Sequence, residues 1–358
     1  MTHDEEDMEL EPLLQDGEEE MYEHFRVTAD RGQEPLRIDK FLVIRLENTS
    51  RNRIQNAADA GCILVNGKAV KSNYRIKPFD EISVVLPYKP MKFDLKPEPI
   101  PLKILFEDED LLVVNKDPGM VVHPGLGNFS GTMVNALLHH FQHLPAPADE
   151  PFRPGLVHRI DKYTSGILVV AKQEYAMSHL ARQFYDHSIE RKYTALVWGE
   201  FEEPQGTITG NIARHQRFRK MFDVYPAGGE IGKHAVTHYR VLENLGYVSL
   251  IECQLETGRT HQIRVHMQHI GHPIFSDDTY GGDRIVKGTI YTKYKQFVEN
   301  CFELIPRQAL HARSLGFVHP RTGAHMYFET PLPPDFEAAL EKWRGYARQI
   351  KRNDQEFR

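Results

Sequence analysis

The sequence predicts an α+β protein in two parts, a small basic module followed by a larger domain built on a mostly antiparallel mixed sheet. Three observations point there. The chain has 358 residues, more than the roughly 100–200 that one core usually takes. Pro87, Pro90, Pro97, Pro99 and Pro101 crowd one stretch, where proline blocks both helix and central strand. Beyond it, the strand-like segments fall in hairpin-like pairs instead of alternating with helices, which favours α+β over a doubly wound sheet.

Taken in order, residues 1–23 hold 11 Asp or Glu and no Lys or Arg. This acidic leader lacks the apolar content for a core and is expected to be disordered. It reads first as a solubilising tail; a sharper reading has it mimic phosphate and compete for the basic segment behind it. The net charge of −6 therefore misleads: without the leader the rest of the chain carries +5, all of it accounted for by residues 24–90.

Residues 24–88 form the basic module. Ile38, Phe41, Leu42 and Leu46 recur at helical spacing. Ser50 is placed to cap a second helix that stops at Gly61. Asn66-Gly67 between Ile63-Leu-Val and Lys68-Ala-Val is a type I′ hairpin signal, because both residues tolerate positive φ. Ile82–Leu86 alternates as a further strand. Arg51, Arg53, Lys68 and Lys71 make the junction basic. Residues 89–101 are the linker and 102–350 the larger domain. There, strands are predicted at 104–106, 111–114, 167–171, 193–198, 236–241, 247–255, 310–318 and 325–329, and helices near 131–141, 174–186, 261–270 and 335–349.

Several classes are disfavoured. No run of about 18 apolar residues predicts a membrane span, and the N-terminus lacks a secretory pattern. Cys62, Cys253 and Cys301 are odd in number and far apart, which argues against a disulfide framework or a Cys-type zinc site and fits a reducing cytoplasm. There is no Walker A motif, no GxGxxG opening a βαβ unit and no GxSxG elbow. His261, His266, His269 and His272 lack the i, i+4 pairing of a helical metal site, so no metal is expected.

Two runs carry candidate chemistry. Gly155-Leu-Val-His-Arg-Ile-Asp161-Lys-Tyr-Thr-Ser-Gly166 is a charged loop before the apolar strand 167–171. A carboxylate held beside Arg159 and Lys162 suits a nucleophile or base more than a proton donor. On spacing alone, Asp161 reads first as a turn residue. Leu255-Glu-Thr-Gly-Arg-Thr-His-Gln-Ile-Arg264-Val-His is a glycine turn leading into a helix, with Thr260 a reasonable N-cap and Gly271 a plausible C′ residue. Arg264 is placed to pair with a carboxylate from elsewhere. Tyr193, at the start of 193–198, reads by default as a core tyrosine and alternatively as a base-stacking one.

These runs, with Asn115-Lys-Asp-Pro-Gly-Met-Val-Val-His-Pro-Gly125 upstream, resemble the RluA/RluD family of pseudouridine synthases in order and spacing over residues 100–335. The basic module resembles an S4 RNA-binding domain, and Val122–Gly125 with Asn135–His139 point to the RluD-like branch. The resemblance implies a pseudouridine synthase fold and isomerisation of uridine in structured RNA, with a large-subunit ribosomal stem-loop as the substrate class. Such an isomerisation oxidises nothing and transfers no phosphate, so no cofactor or metal is expected, and the protein is expected to be a monomer in the cytoplasm. The resemblance places the catalytic aspartate at Asp161, the active-site tyrosine at Tyr193 and the pairing arginine at Arg264. Arg159 matches the arginine that enters the RNA stack where the target base leaves. Arg51, Arg53 and Lys68 become phosphate contacts of the S4-like module. Ile160, Tyr163 and Asp117 depart from the common leucine, aspartate and proline; Tyr163 bears on loop packing or an RNA contact.

Overall fold

The computed structural model describes residues 21–46, 51–86, 96–124, 128, 130–141, 144–146, 154–218 and 221–356. Most of the expected leader, the Ser50 cap and most of the linker lie outside these residues. The chain forms two compact units, a smaller one reaching to Lys96 and a larger one holding Pro97–Pro145 and Gly155–Arg358.

The smaller unit runs β1 (Tyr22–Thr28), α1 (Ile38–Arg45), α2 (Arg51–Asp59), β2 (Ile63–Val65), β3 (Lys68–Ala69) and β4 (Glu81–Leu86). Its antiparallel sheet has the order β1-β4-β2-β3. β1 corrects the leader boundary, since Tyr22 and Glu23 belong to a strand. Asn66 and Gly67 take φ of 49° and 76°, as a type I′ turn requires. Ile38, Phe41, Leu42, Ile54, Ile63, Ile76 and Ile82 pack into one core. At its edge Asp39 is fully buried and accepts from Arg37, Arg51 and Gln55 at 2.9–3.1 Å. Burial alone would raise this carboxyl's pKa; the bonds from Arg37, Gln55 and Arg51 outweigh it and hold it well below the usual range.

The larger unit contains β5 (Ile104–Glu107), β6 (Leu111–Lys116), α3 (Met133–His140), β7 (Ser165–Ala171), α4 (Glu174–Tyr185), β8 (Glu190–Trp198), β9 (Gln205–Arg214), β10 (Phe222–Tyr225), β11 (Lys233–Asn244), β12 (Val248–Leu255), α5 (Gln262–His269), α6 (Thr292–Leu304), β13 (Leu310–Val318), β14 (His325–Glu329) and α7 (Pro334–Glu356). The strands form one sheet in the order β10-β9-β11-β12-β8-β13-β7-β6-β5, with β14 on β13. The β13–β7 pairing is parallel and the other pairings of this sheet are antiparallel. The mixed, mostly antiparallel sheet expected from the sequence is thus present; β9, β10 and α6 were not foreseen, and α7 runs past residue 350.

Two cores flank the middle of the sheet. Leu111, Val113, Ile167, Val169, Leu180 and Phe317 pack under α4. Trp198 meets Phe275 at 5.2 Å and Trp343 at 6.0 Å between ring centres, and its indole donates to the Gly282 carbonyl at 2.9 Å. This second cluster fixes the 274–282 loop against β8 and α7.

Candidate active site

Asp161 stands in the loop entering β7, and the sequence locks that loop from several directions. Gly166 has φ of +122°, and a Cβ there would stand 2.2 Å from the Ala312 carbonyl oxygen. Only glycine lets β7 come this close to β13. The buried Lys116 ammonium donates to the carbonyls of Asp117, Met120 and Lys162 at 2.8–2.9 Å. On the other side Arg307 donates to the Tyr163 carbonyl at 2.9 Å while paired with Asp335 at 2.7 and 2.9 Å. Thr164 N–H closes a turn onto the Asp161 carbonyl at 3.1 Å. Tyr163 uses its backbone for this bracing, and its ring lies 5.4 Å from the Lys162 ammonium.

Arg264, on the first turn of α5, faces Asp161 with 3.4 Å between Nη1 and Oδ2. Its other nitrogens are committed elsewhere: Nε and Nη2 grip Asp277 at 2.8 and 3.0 Å, and Nη2 also donates to Thr279 Oγ1 at 2.9 Å. Arg264 is 3% exposed and Asp277 fully buried, while the Asp161 side chain keeps 20% exposure. Burial would lower the guanidinium pKa, but Asp277 first and Asp161 second hold it well above its ordinary value. Asp277 in turn accepts from the backbone N–H groups of Thr279 and Tyr280 at 3.1 and 3.0 Å. A rigid buried pair therefore presents one spare N–H edge to a carboxylate that can still meet a substrate.

Sequence reasoning anticipated the carboxylate at Asp161 but missed Asp277. The available signal was the polar, glycine-ended loop Ser276-Asp-Asp-Thr-Tyr-Gly-Gly282 after the apolar Ile274-Phe275.

Tyr193 lies on β8, 8% exposed. Burial raises its hydroxyl pKa, Arg191 opposes this and Asp161 adds to it. Two residues earlier on the same strand face, Arg191 is 7% exposed. It donates to the Glu256 carbonyl at 3.2 Å, and a Cβ on Gly258 would stand 2.9 Å from its Nη1. Gly258 thus makes room for a buried cation behind the site. His158 stacks on Phe184 at 4.5 Å and accepts from Val169 N–H at 3.0 Å. Burial, then Arg191, pushes its pKa down to about 3, so it is a neutral packing residue.

The turn into α5 differs from the expected Thr260 cap. His261 is the N-cap, with φ of 54° and no side-chain cap bond. The buried Gln262 braces the preceding turn instead: its oxygen accepts from Thr257 Oγ1 at 2.7 Å and Arg259 N–H at 3.0 Å, and its amide donates to Val236 O at 2.9 Å. Gly271 does follow the helix, at φ of +84°.

Arg159 meets His123 at 3.0 Å, joining the Asn115–Gly125 stretch to the Gly155–Gly166 run. In the smaller unit Lys68 is exposed, and Arg51 is half committed through Nε to Asp39 at 3.0 Å. The Arg53 side chain lies outside the described residues. The histidines around α5 diverge: His261 bonds Tyr280, His266 bonds Thr237 and His272 bonds the Trp198 carbonyl. Asp108, Asp110 and His319 do converge, but His319 pairs with Asp108 at 2.7 Å and Arg321 with Asp110, a cluster at the turn into β6, the opposite end of that strand from Lys116 and the Asp161 loop.

Comparison with known proteins identifies the family. The RNA pseudouridylate synthase family matches residues 110–269 and the S4 domain residues 36–82. An uncharacterized RNA pseudouridine synthase of Chlorobaculum parvum is 49% identical over 87% of this chain and 95% of its own length. The ribosomal large subunit pseudouridine synthase D of Zymomonas mobilis is 43% identical over 84% and 92%. Among solved structures, human RNA pseudouridylate synthase domain containing 4 covers 67% of this chain and 92% of its own, with 26% identity and a TM-score of 0.52. Relatives aligned along nearly the whole chain, on a fold that brings the separated motif runs to one loop, show that this chain belongs to the RNA pseudouridylate synthase family, isomerases acting on RNA, with an S4 domain ahead of the catalytic one.

Proposed function

We propose that this protein converts uridine to pseudouridine in a stem-loop of large-subunit ribosomal RNA, with Asp161 as the catalytic carboxylate. The observation that carries the role is the partly open Asp161 held at 3.4 Å from an arginine that is itself fixed by buried Asp277. The relatives named for the large ribosomal subunit support the substrate class.

The reaction breaks the N1–C1′ bond, turns the base and joins C5 to C1′; the C5 proton leaves and N1 gains one. Asp161 acts as nucleophile, or takes a ribose proton to give a glycal. Arg264 orients its charge, and Tyr193 lies against the uracil and assists removal of the C5 proton. The target base must leave its stack, at a cost of a few kcal/mol that is least in a loop. Arg159 fills the gap, since a guanidinium stacks on bases.

The test uses RNA tritiated at uracil C5. Synthase action releases tritium to water while the base stays attached; a nucleoside glycosidase would release free base. Mapping pseudouridines in ribosomal and transfer RNA from a strain lacking the protein identifies the substrate, and unchanged ribosomal positions would reject the ribosomal assignment.

The S4 unit contributes salt-sensitive phosphate contacts through Arg51, Arg53 and Lys68. Removing residues 1–90 is expected to weaken binding to a large folded RNA more than it slows conversion of bound RNA. Equal affinities of truncated and full-length protein in filter binding would sink that role. The protein is further read as a monomer in the cytoplasm: its three cysteines are buried and free, as a reducing compartment allows. Among the described residues no helix is long and apolar enough to cross a membrane.

A further inference from the structure

Phe79 sits in the turn before β4 with φ of +66° and 65% of its surface exposed. Each property is a cost. A bulky side chain in the left-handed region is a genuine outlier, and an aromatic ring left in water forgoes the burial that usually repays its place in a sequence. Glycine or asparagine would meet the backbone requirement without strain. The surrounding bonds over-determine the turn, as stored strain requires. Phe79 N–H donates to Ala29 O at 3.0 Å, and Ala29 N–H to Asp80 O at 2.9 Å. Buried Asp80 accepts from Tyr74 Oη, Asn66 Nδ2 and Lys77 N–H at 2.9, 3.0 and 2.8 Å.

The same bonds decide what stands around the ring. Asn66 also accepts from Glu81 N–H at 2.9 Å, so the tip of the β2–β3 hairpin, with Lys68, is tied to the Phe79 turn. Lys77 is in that turn, and Arg31 follows Ala29 by two residues. Arg31, Lys68 and Lys77 are all exposed; Lys77 also feels the buried Asp80 carboxylate, while the exposed Asp30 and Glu81 beside them pair with Arg45 and Arg26. An exposed aromatic ring on a braced turn, with exposed cations on the adjoining turns, is the combination that holds unpaired nucleotides, ring against base and cations against phosphate.

We infer that Phe79 is a stacking platform for an unpaired RNA base, with Arg31, Lys68 and Lys77 holding the flanking phosphates. This rests on the S4 unit binding RNA and adds the kind of RNA it selects: a single-stranded stretch beside a stem, where pure phosphate contacts would accept any duplex. The strain is then retained for its product, a ring aimed at solvent that cannot fold back onto the core.

The test compares full-length wild type with Phe79→Gly, Phe79→Trp and Lys68→Glu, by fluorescence anisotropy with a single-stranded 12-nucleotide oligouridylate and with a paired RNA duplex. Phe79→Gly is expected to bind the single strand roughly 5- to 140-fold more weakly, the range of one lost base stack, with duplex affinity unchanged. Phe79→Trp restores the affinity. Phe79→Gly is also expected to raise the Tm, because the left-handed strain is gone. Opposite signs on stability and binding separate a platform from a structural residue. Wild-type affinity of Phe79→Gly for the single strand, or a lowered Tm, would overturn the inference. If Lys68→Glu weakens binding and Phe79→Gly does not, stacking fails while the RNA-binding role of the unit stands; if neither weakens it, that role fails as well.

Discussion

Replacing Asp161 with asparagine is expected to take tritium release from C5-labelled RNA to background, a loss of roughly 10⁴-fold or more, without unfolding the protein or abolishing RNA binding. Asparagine keeps the shape and removes the charge that either route needs, attack or proton abstraction. The fold should not notice. Arg264 retains both bonds to Asp277 and the one to Thr279, and the Asp161 loop is pinned through backbone carbonyls by Lys116 and Arg307. Two carboxylates share one guanidinium in the wild type, so removing one relieves like-charge repulsion. The Tm is therefore expected to stay level or rise slightly. A variant that releases tritium at the wild-type rate would remove Asp161 from the chemistry. One that loses many degrees of Tm would make it the turn residue that its position alone first suggests.

That contrast shows where the sequence is readable. The strands β6 and β7 were legible because they are continuous apolar runs, buried along nearly their whole length. The Asn66-Gly67 hairpin was legible because two consecutive positive φ angles demand those residue types. β1 was not, since its pairing with β4 shifts register between Glu23 and Phe25, and a bulge destroys the period of two on which strand recognition depends. β9 was hidden by Gly206 and Gly210. A Cβ on Gly210 would stand 2.4 Å from Val224 of β10, so the glycine that weakens the local strand signal is a packing requirement of the next strand. α6 does carry an inward stripe, Tyr294, Val298 and Cys301, but the apolar Ile285, Val286 and Ile290 just before it blur where the helical period starts. At the site, Asp161 and Arg264 gained their meaning from motif order, because 103 residues separate the two ends of their bond. Asp277 belongs to no helix or strand. Its importance lies in a fully buried position beside Arg264, which spacing does not reveal.

Asp277 is consequently where the structure makes its strongest new demand on the proposed catalytic centre. Asp277→Ala is expected to lower the Tm by roughly 10 °C, since breaking a buried ion pair costs about 3–5 kcal/mol in a domain of this size. The loss comes from stranding Arg264, 3% exposed, and from leaving the Thr279 and Tyr280 N–H groups without their acceptor. Asp277→Asn separates these effects. Its oxygen still takes the backbone bonds, so the loop should hold, but the charge that anchors Arg264 is gone. Asp161 then becomes the counter-charge facing the guanidinium, at 3.4 Å in the wild type. Drawn into a closer pair, its carboxylate is less free to meet the nucleotide. Single-turnover rates are expected to fall by about 10²-fold, equivalent to roughly 2.7 kcal/mol, while RNA affinity, which generally rests on phosphate contacts, is expected to change little. If Asp277→Asn converts bound RNA at the wild-type rate, Thr279 and Asp161 suffice to hold Arg264, and the buried pair serves the fold without setting the geometry of the Asp161 carboxylate.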